Sequence, residues 1–183
     1  LVNTDAAGVA DLARRVLADA DRRALCERLV TVGALSLAEQ TAAAIADEDE
    51  RGGALRDIAE AQARAGHIAE ALQTAAVIAD KERRVWALRT IVAAQVEAGN
   101  VAEAVQTAAA IANEDERGGA LRAIAKAQAQ AGHIAEAVQT AAAITDERQR
   151  AVALGAIAEA QAQAGQSDAA RATFAEAVQT AAA

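Results

Sequence analysis

The chain has 183 residues, of which 59 are alanine and none is proline, and its formal net charge is −8 at pH 7. Abundant alanine, the lack of proline and an aromatic content of 1% favour helices over sheets. Such an acidic chain is not expected to bind nucleic acid or an anionic membrane, since both require clustered basic charge. Two histidines, one cysteine and no tyrosine leave few groups for catalysis or metal binding. We therefore expect an all-α protein that is not an enzyme and uses no cofactor or metal.

The sequence also bears on cellular location. No apolar run approaches the roughly 20 residues that cross a bilayer, and no secretory signal pattern opens the chain. The single cysteine cannot form an internal disulfide, which favours a reducing compartment. These features predict a cytoplasmic protein. Methionine is absent even at position 1, so we expect the sequence to be a processed form or a part of a longer protein.

The first predicted element is a capping helix over residues 4–17, with Thr4 or Asp5 as its N-cap. A period of 33 residues follows, and it is marked most clearly by five glycines: Gly33, Gly66, Gly99, Gly132 and Gly165. This period predicts one repeat domain over residues 1–183, because repeats of this length each need their neighbours to bury a core. Its parts are a capping segment at 1–17 and repeats at 18–47, 48–80, 81–113, 114–146 and 147–183.

Each repeat is predicted to be a hairpin of two helices. The first helix has about 17 residues and begins at a capping box such as Asp47 with Glu50. The repeated glycine follows the end of this helix, where a left-handed residue is favoured. The second helix has about 12 residues and begins at once, in the third repeat with a further box, Asn100 with Glu103; the last repeat carries an extended second helix. With the capping helix, this makes about 11 helices.

Two of the repeats are nearly identical copies. Residues 44–76 and 110–142 agree at 28 of 33 positions. The identity reflects a recent duplication of a two-repeat unit and is poor evidence of function. The copies differ at five positions: Asp47/Asn113, Asp57/Ala123, Glu60/Lys126, Arg64/Gln130 and Leu72/Val138.

The segment 121–138 has a pattern of large and small apolar residues around the turn glycine: Leu121, Ile124, Ala125, Gly132, Ala137 and Val138. On these residues the segment resembles a tetratricopeptide repeat. The resemblance covers roughly residues 18–183 and is to an Ala-rich variant found in bacterial multidomain proteins, including sensor arms of signal-transducing NTPases. The chain departs from the family in its 33-residue period, in the missing closing proline, in Leu where Trp is usual and in Gln128 where Tyr is common. The resemblance implies a right-handed solenoid that binds proteins on a concave face lined by the first helices.

An arginine column is the strongest candidate site. Arg23, Arg56, Arg89 and Arg122 each lie ten residues before a repeated glycine. Helices pack 8–10 Å apart and an extended peptide advances about 3.3 Å per residue, so carboxylates three or four residues apart could meet successive arginines. The resemblance implies that this column faces the groove. The alternative is that these arginines pair locally, as Arg56 could with Glu60 four residues on, or with acidic loops of a neighbouring repeat.

Trp86 is the second candidate, because it is the only tryptophan and lies three residues from Arg89 on nearly the same helix face. Tryptophan and arginine are common binding anchors. The equivalent positions one repeat on either side are Gly53 and Gly119, and each follows another glycine. Glycines inside a helix suggest a close approach, so Trp86 either fills space beside them or is an exposed anchor.

The remaining singled-out residues have structural interpretations. His67 and His133 are two repeats apart and are predicted turn or cap residues, too distant to share a metal. Cys26 falls in a column of small apolar residues and is predicted to lie in the core. A glutamine column is predicted to hydrogen-bond between helices: Gln62, Gln95, Gln128 and Gln161.

These observations favour a non-enzymatic scaffold for protein–protein interaction, without a cofactor. Its partner is a peptide or protein held in the concave groove, and an acidic segment would suit the arginines. The predicted binding residues are Arg23, Arg56, Trp86, Arg89 and Arg122. The alternative is a structural or sensor arm of a larger signalling protein, such as a signal-transducing NTPase, which works through self-assembly as a homo-oligomer.

Overall fold

A computed structural model describes residues 17–182, and all regular secondary structure in that range is α-helical. The described part contains ten helices, paired into five hairpins. The predicted capping helix with Thr4 or Asp5 lies, apart from Leu17, outside the described residues. The helices are α1 (Asp19–Thr31), α2 (Leu35–Ala42), α3 (Glu48–Arg64), α4 (Ile68–Ala76), α5 (Lys81–Glu97), α6 (Val101–Ala109), α7 (Glu114–Gln130), α8 (Ile134–Ala142), α9 (Glu147–Gln163) and α10 (Ser167–Ala181).

The repeated glycine forms the turn inside each hairpin. Gly66 has φ +82°, its N–H donates to the carbonyl of Ala63 at 3.0 Å, and the N–H of His67 donates to the carbonyl of Gln62 at 2.8 Å. These two bonds form a Schellman motif, which needs the left-handed conformation that glycine adopts without strain. The same bonds recur at the other four glycines, so the predicted role of this column is confirmed.

The first helices of the second, fourth and fifth hairpins begin at the predicted N-caps. The side chain of Asp47 accepts the N–H of Glu50 at 2.9 Å, and the caps at residues 113 and 146 do the same. The predicted box at Asn100 is wrong, because its side chain forms no cap hydrogen bond. Asn100 also closes the preceding Schellman turn with φ −84° and ψ 58°, outside the extended conformation in which an N-cap side chain reaches the helix N–H groups.

The second helices are shorter than the predicted 12 residues. α4, α6 and α8 each have nine residues, and α2 has eight, whereas α10 has 15 in line with the predicted extension. In the second repeat the chain leaves the helix after Ala76, and the N–H of Ile78 donates to the carbonyl of Ala75 at 3.2 Å. Ile78 is fully buried beyond the helix end, so tertiary packing terminates the helix early.

A recurring arginine fixes the connection between one hairpin and the next. Arg51 Nη1 donates to the carbonyl of Ile45 at 2.9 Å, and Arg117 Nη1 donates to that of Ile111 at the same distance. These isoleucines are buried just after the end of a second helix, where their carbonyls accept no hydrogen bond within that helix. Each arginine supplies the missing donor. The column, which sequence reasoning did not single out, also includes Arg84 and Arg150.

The contacts divide the chain into two compact units, Leu1–Ile91 and Val92–Ala183, with the boundary inside α5. In the first unit, α1 packs on α2 and α3, and α3 packs on α2 and α4. In the second unit, α7 packs on α6, α8 and α9, and α9 packs on α8 and α10. Within each unit, successive hairpins therefore bury each other's faces. The core is built mainly from alanines and from fully buried isoleucines at two repeat positions: Ile45, Ile78, Ile111 and Ile144 just after the second helices, and Ile58, Ile91, Ile124 and Ile157 within the first helices.

The sequence predicts that no segment is long and apolar enough to cross a membrane. Over residues 17–182, no helix combines the length and the apolar character that a bilayer crossing requires.

Candidate functional site

Arg56 and Trp86 form a stacked pair on the first unit. Arg56 projects from α3 and Trp86 from α5, and the guanidinium carbon lies 5.2 Å from the centroid of the indole. The side chain of Arg56 is 37% exposed and Trp86 is 43% exposed. This is cation–π geometry at a surface, where the contact contributes about 0.5–1 kcal/mol. The pair presents a charged group and a large apolar group side by side to solvent.

Asp57 holds Arg56 and links it to Arg23. Arg56 donates to Asp57 Oδ1 through Nε at 3.0 Å and Nη2 at 2.7 Å, and Arg23 Nη2 donates to Oδ2 at 2.5 Å. Arg23 also pairs with Glu27 at 3.2 Å. The proposed local partner of Arg56, Glu60, pairs with Arg64 instead. The prediction that the arginines pair locally therefore holds for Arg56, but with a different carboxylate.

The glycines inside the first helices, such as Gly53 and Gly118, leave space that polar side chains of a neighbouring repeat occupy. A Cβ added at Gly53 would lie 3.3 Å from Arg23 Cζ, and one at Gly118 would lie 2.9 Å from Gln149 Oε1. The predicted close approach at the glycines is thus confirmed, and the nearest groups are these side chains. Trp86 is not what approaches Gly53, and its exposure favours the anchor interpretation.

Arg89 and Arg122 lie in different units. Arg89 is exposed on α5, three residues after Trp86, in the first unit. Arg122 is exposed on α7 in the second unit, and no described residue forms a hydrogen bond or ion pair with it. Its copy Arg56 has Asp57 beside it, whereas Arg122 is followed by Ala123. The duplicated arginines therefore differ in their electrostatic surroundings.

Cys26 and the histidines occupy the positions predicted for structural residues. Cys26 is 1% exposed, its Sγ lies 3.5 Å from the carbonyl oxygen of Ala38, and burial raises the pKa of its thiol to about 11. His67 and His133 are exposed at the turns, although neither side chain caps the following helix. In the range 17–182, no group of three His, Cys, Asp or Glu side chains is placed to hold a metal ion.

The glutamine column behaves as predicted only in the second repeat. Gln62 is buried, its Nε2 donates to Glu39 Oε1 at 2.6 Å, and its Oε1 accepts the hydroxyl of Thr74 at 2.8 Å. The position equivalent to Glu39 is aliphatic in the second, third and fourth repeats, where it holds Leu72, Val105 and Val138, and it is Arg171 in the fifth. In the third, fourth and fifth repeats the buried glutamine Oε1 has no hydrogen-bond partner among the described residues: Gln95, Gln128 and Gln161.

Sequence reasoning missed two parts of the surface. Asp57 was not singled out as the carboxylate between two arginines, and Lys126 was not connected with Arg122. The signal for both was present, because positions 57/123 and 60/126 are two of the five differences between the duplicated copies.

The chain was compared with protein families, curated proteins and solved structures. The sequence matches no protein-family model and no curated protein. A crystal structure of a kinesin light chain-like protein from Podosopora anserina, with nearly identical TPR-like repeats, is similar to this chain. The two share 20% sequence identity over 92% of this chain and 95% of that chain, with a TM-score of 0.44.

Proposed function

We propose that the chain is a non-enzymatic protein-interaction module whose first unit binds a partner through the exposed Arg56–Trp86 pair. The stacked pair is the observation that carries the proposal, since tryptophan and arginine dominate the binding energy of many interfaces. Its side chains are 37% and 43% exposed, so a partner would gain by covering the indole. Arg89, on the same helix as Trp86, supplies a second charge beside the indole.

The charges favour an acidic partner segment. Asp57 bonds both Arg56 and Arg23, so a partner carboxylate could engage Arg56 while Asp57 kept its bond to Arg23. Arg23 is 16% exposed and is proposed to act by holding Asp57 in place. Carboxylates suit the planar guanidinium because it can donate two parallel hydrogen bonds. Arg122 is proposed to contact a partner through the second unit.

A binding experiment tests this proposal directly. A display library of linear peptides of about 12 residues, which span about 40 Å when extended, is selected against the immobilised full chain. Selected peptides are expected to be rich in Asp and Glu with an aromatic or aliphatic residue, and to change the emission of Trp86 on binding. The double variant R56E/R89E is expected to weaken binding at least about tenfold.

A charge-matched control separates the site from the overall charge. Arg64 and Arg148 are exposed on α3 and α9, and R64E/R148E changes the net charge as much as R56E/R89E does. The variants R56Q and W86A introduce no negative charge, so they test the same site if R56E/R89E does not fold. Circular dichroism checks the helicity of every variant. Peptides without acidic residues, or equal binding to wild type and R56E/R89E, would overturn the proposal.

Self-assembly is the second candidate function, as a structural or sensor arm of a larger signalling protein. It is favoured by large apolar side chains exposed outside the Arg56–Trp86 pair, such as Val32 at 75% and Val77 at 65%. Sedimentation of the wild-type chain over a range of concentrations distinguishes the two candidates. A discrete oligomer that persists on dilution favours self-assembly, and a monomer that binds the selected peptides favours partner binding.

A further inference from the structure

A cleft of about 990 Å³ opens between α7, α9 and α10 in the second unit. We call it the C-terminal cleft. Val152 of α9 and Phe174 of α10 line it, and they are 50% and 59% exposed, although both are large apolar side chains. Alanines of the same helices complete its apolar lining. Covering this lining would remove apolar surface from water, which favours binding of an apolar side chain there.

The preceding hairpin shows what kind of element fits such a face. One repeat earlier, α9 packs against both α7 and α8. The equivalent face of the fifth hairpin lies on α9 and α10, and no further helix of the described chain packs there. By repeat equivalence, this face accommodates a helix of the length of α9, which has 17 residues.

The fifth hairpin departs from the others where this helix would lie. Arg171 and Ser167 put polar groups on a face that is aliphatic in the preceding hairpin, and Phe174 puts a ring where the preceding hairpins have a buried alanine. A buried guanidinium is costly unless a carboxylate pairs with it. A helix seated here therefore needs an acidic side chain that reaches Arg171. The replacements are Ser167 for Ile134, Arg171 for Val138 and Phe174 for Ala141.

The rim of the cleft is basic on a chain that is acidic overall. Arg122 and Lys126 lie one turn apart on α7, both exposed, and no described residue pairs with either. Among residues 17–182, Arg171 pairs only with Asp168, at 3.2 Å, and because both side chains are at least 80% exposed this pair holds the guanidinium weakly. Of the described residues that line the cleft, Glu159 is the one with a carboxylate.

The duplicated repeats show how this positive charge arises. In the earlier copy Arg56 has Asp57 beside it and Glu60 one turn on, whereas in the later copy the corresponding residues are Ala123 and Lys126. Two of only five differences between the copies thus remove a carboxylate from this arginine position, and one of them adds a cation. The later copy is the one that borders the cleft.

We propose that the C-terminal cleft binds an acidic amphipathic helix of a partner protein. Apolar side chains of this helix lie on Val152 and Phe174, and its carboxylates pair with Arg122, Lys126 and Arg171. A second copy of the chain is a poorer occupant, because two chains of net charge −8 repel each other. The site is independent of the Arg56–Trp86 pair and does not rest on the function proposed for the first unit.

Selection of helical peptides tests the proposal with the full chain. The probe is a display library of helix-forming peptides as long as α9, with the residues on one face randomised. Enriched peptides are expected to carry Asp or Glu at one-turn intervals beside an apolar stripe. Calorimetry with a synthetic enriched peptide should show affinity lowered at least about tenfold in R122E/K126E, and lowered about fivefold in F174A. Alanine is the residue of the first four repeats at this position, so F174A is expected to fold.

The controls separate this site from the surface of the first unit. R56E/R89E carries the same change of charge as R122E/K126E and should bind the helical peptide like wild type. Loss of binding in R56E/R89E with retention in R122E/K126E would support the Arg56–Trp86 surface and overturn the cleft. Failure to enrich any acidic helix would also overturn it. Self-association of the chain that R122E/K126E abolishes would assign the cleft to a second copy instead.

Discussion

Gln128 occupies the same repeat position as Gln62, but only Gln62 has its side-chain carbonyl satisfied. Gln62 Oε1 accepts the hydroxyl of Thr74, while the buried Oε1 of Gln128 accepts no hydrogen bond from the described residues. Glu39, in α2 of the preceding hairpin, accepts a hydrogen bond from Gln62 and completes the cluster. For Gln128, the residue of the preceding hairpin that is equivalent to Glu39 is Val105. A repeated residue type therefore has two different energetic roles in two nearly identical repeats.

We expect Q62L and Q128L to have opposite effects on stability. Q62L removes a partner from both Thr74 and Glu39, and should lower the free energy of unfolding by about 1–3 kcal/mol. Q128L removes a buried carbonyl without a partner, and should raise it by about 1 kcal/mol. Urea unfolding followed by circular dichroism measures both. Equal destabilisation by the two substitutions would show that the Gln128 carbonyl is satisfied in solution.

Two glycine substitutions test the distinction between turn glycines and helical glycines. G155A adds a Cβ with no atom within 4 Å, inside α9 and without a positive φ, and should stabilise by about 0.5–1 kcal/mol. G66A forces a side chain into φ +82° and should destabilise by about 1–2 kcal/mol. Thermal unfolding of the two variants beside wild type checks the signs. A destabilised G155A would contradict the open space beside Gly155.

Trp86 reports on the surface of the first unit. Since the indole is 43% exposed, its emission should be red-shifted and readily quenched by acrylamide in the folded protein. R56A removes the group that stacks on the ring and should increase the quenching constant. R64A removes an arginine of the same helix that pairs with Glu60, and should leave the quenching unchanged. Blue-shifted, protected emission that persists on dilution would contradict an exposed anchor.

The hairpins could be predicted from the sequence because local rules determine them. The glycine at each turn needs a positive φ, and Asp47 caps its helix through the N–H three residues on, so both leave a signal at fixed spacing. The length of the second helices left no such signal. Their ends depend on the burial of residues such as Ile78, which follows from packing against neighbouring helices.

The sequence was enough to predict which residues form the candidate site, but not which carboxylates pair with its arginines. The sequence indicated the arginine column and Trp86, because residues at a constant spacing recur on one helix face. It did not indicate that Arg23 and Arg56 share Asp57, since Arg23 and Asp57 are 34 residues apart and meet only through packing of α1 on α3. Pairing at i and i+4 suggested Glu60 for Arg56, and pairing with a neighbouring repeat could be suggested only in general, without naming Asp57.

A last prediction concerns pH and the start of α1. Asp19 accepts the N–H groups of Asp47 at 2.8 Å and Ala46 at 3.1 Å, and Arg22 pairs with it at 2.6 Å. The hydrogen bonds from Asp47 and Ala46, together with Arg22, hold the pKa of Asp19 below its ordinary value of 3.8. The ionised form is thus favoured in the folded state. Its stabilising contribution is complete above the ordinary pKa and is lost as the pH falls below it.

We therefore expect D19A to be less stable than wild type at pH 7, and the difference in urea midpoint to shrink at pH 2.5, which lies below the ordinary pKa of 3.8 at which the carboxyl of the unfolded chain takes up a proton. D21A is the matched control, because Asp21 lies in the same first turn and is exposed. It removes the same charge near the helix N-terminus, and its midpoint should stay close to that of wild type at both pH values. A D19A difference that is constant from pH 7 to pH 2.5 would show that the carboxylate of Asp19 does not hold the connection between α2 and α3.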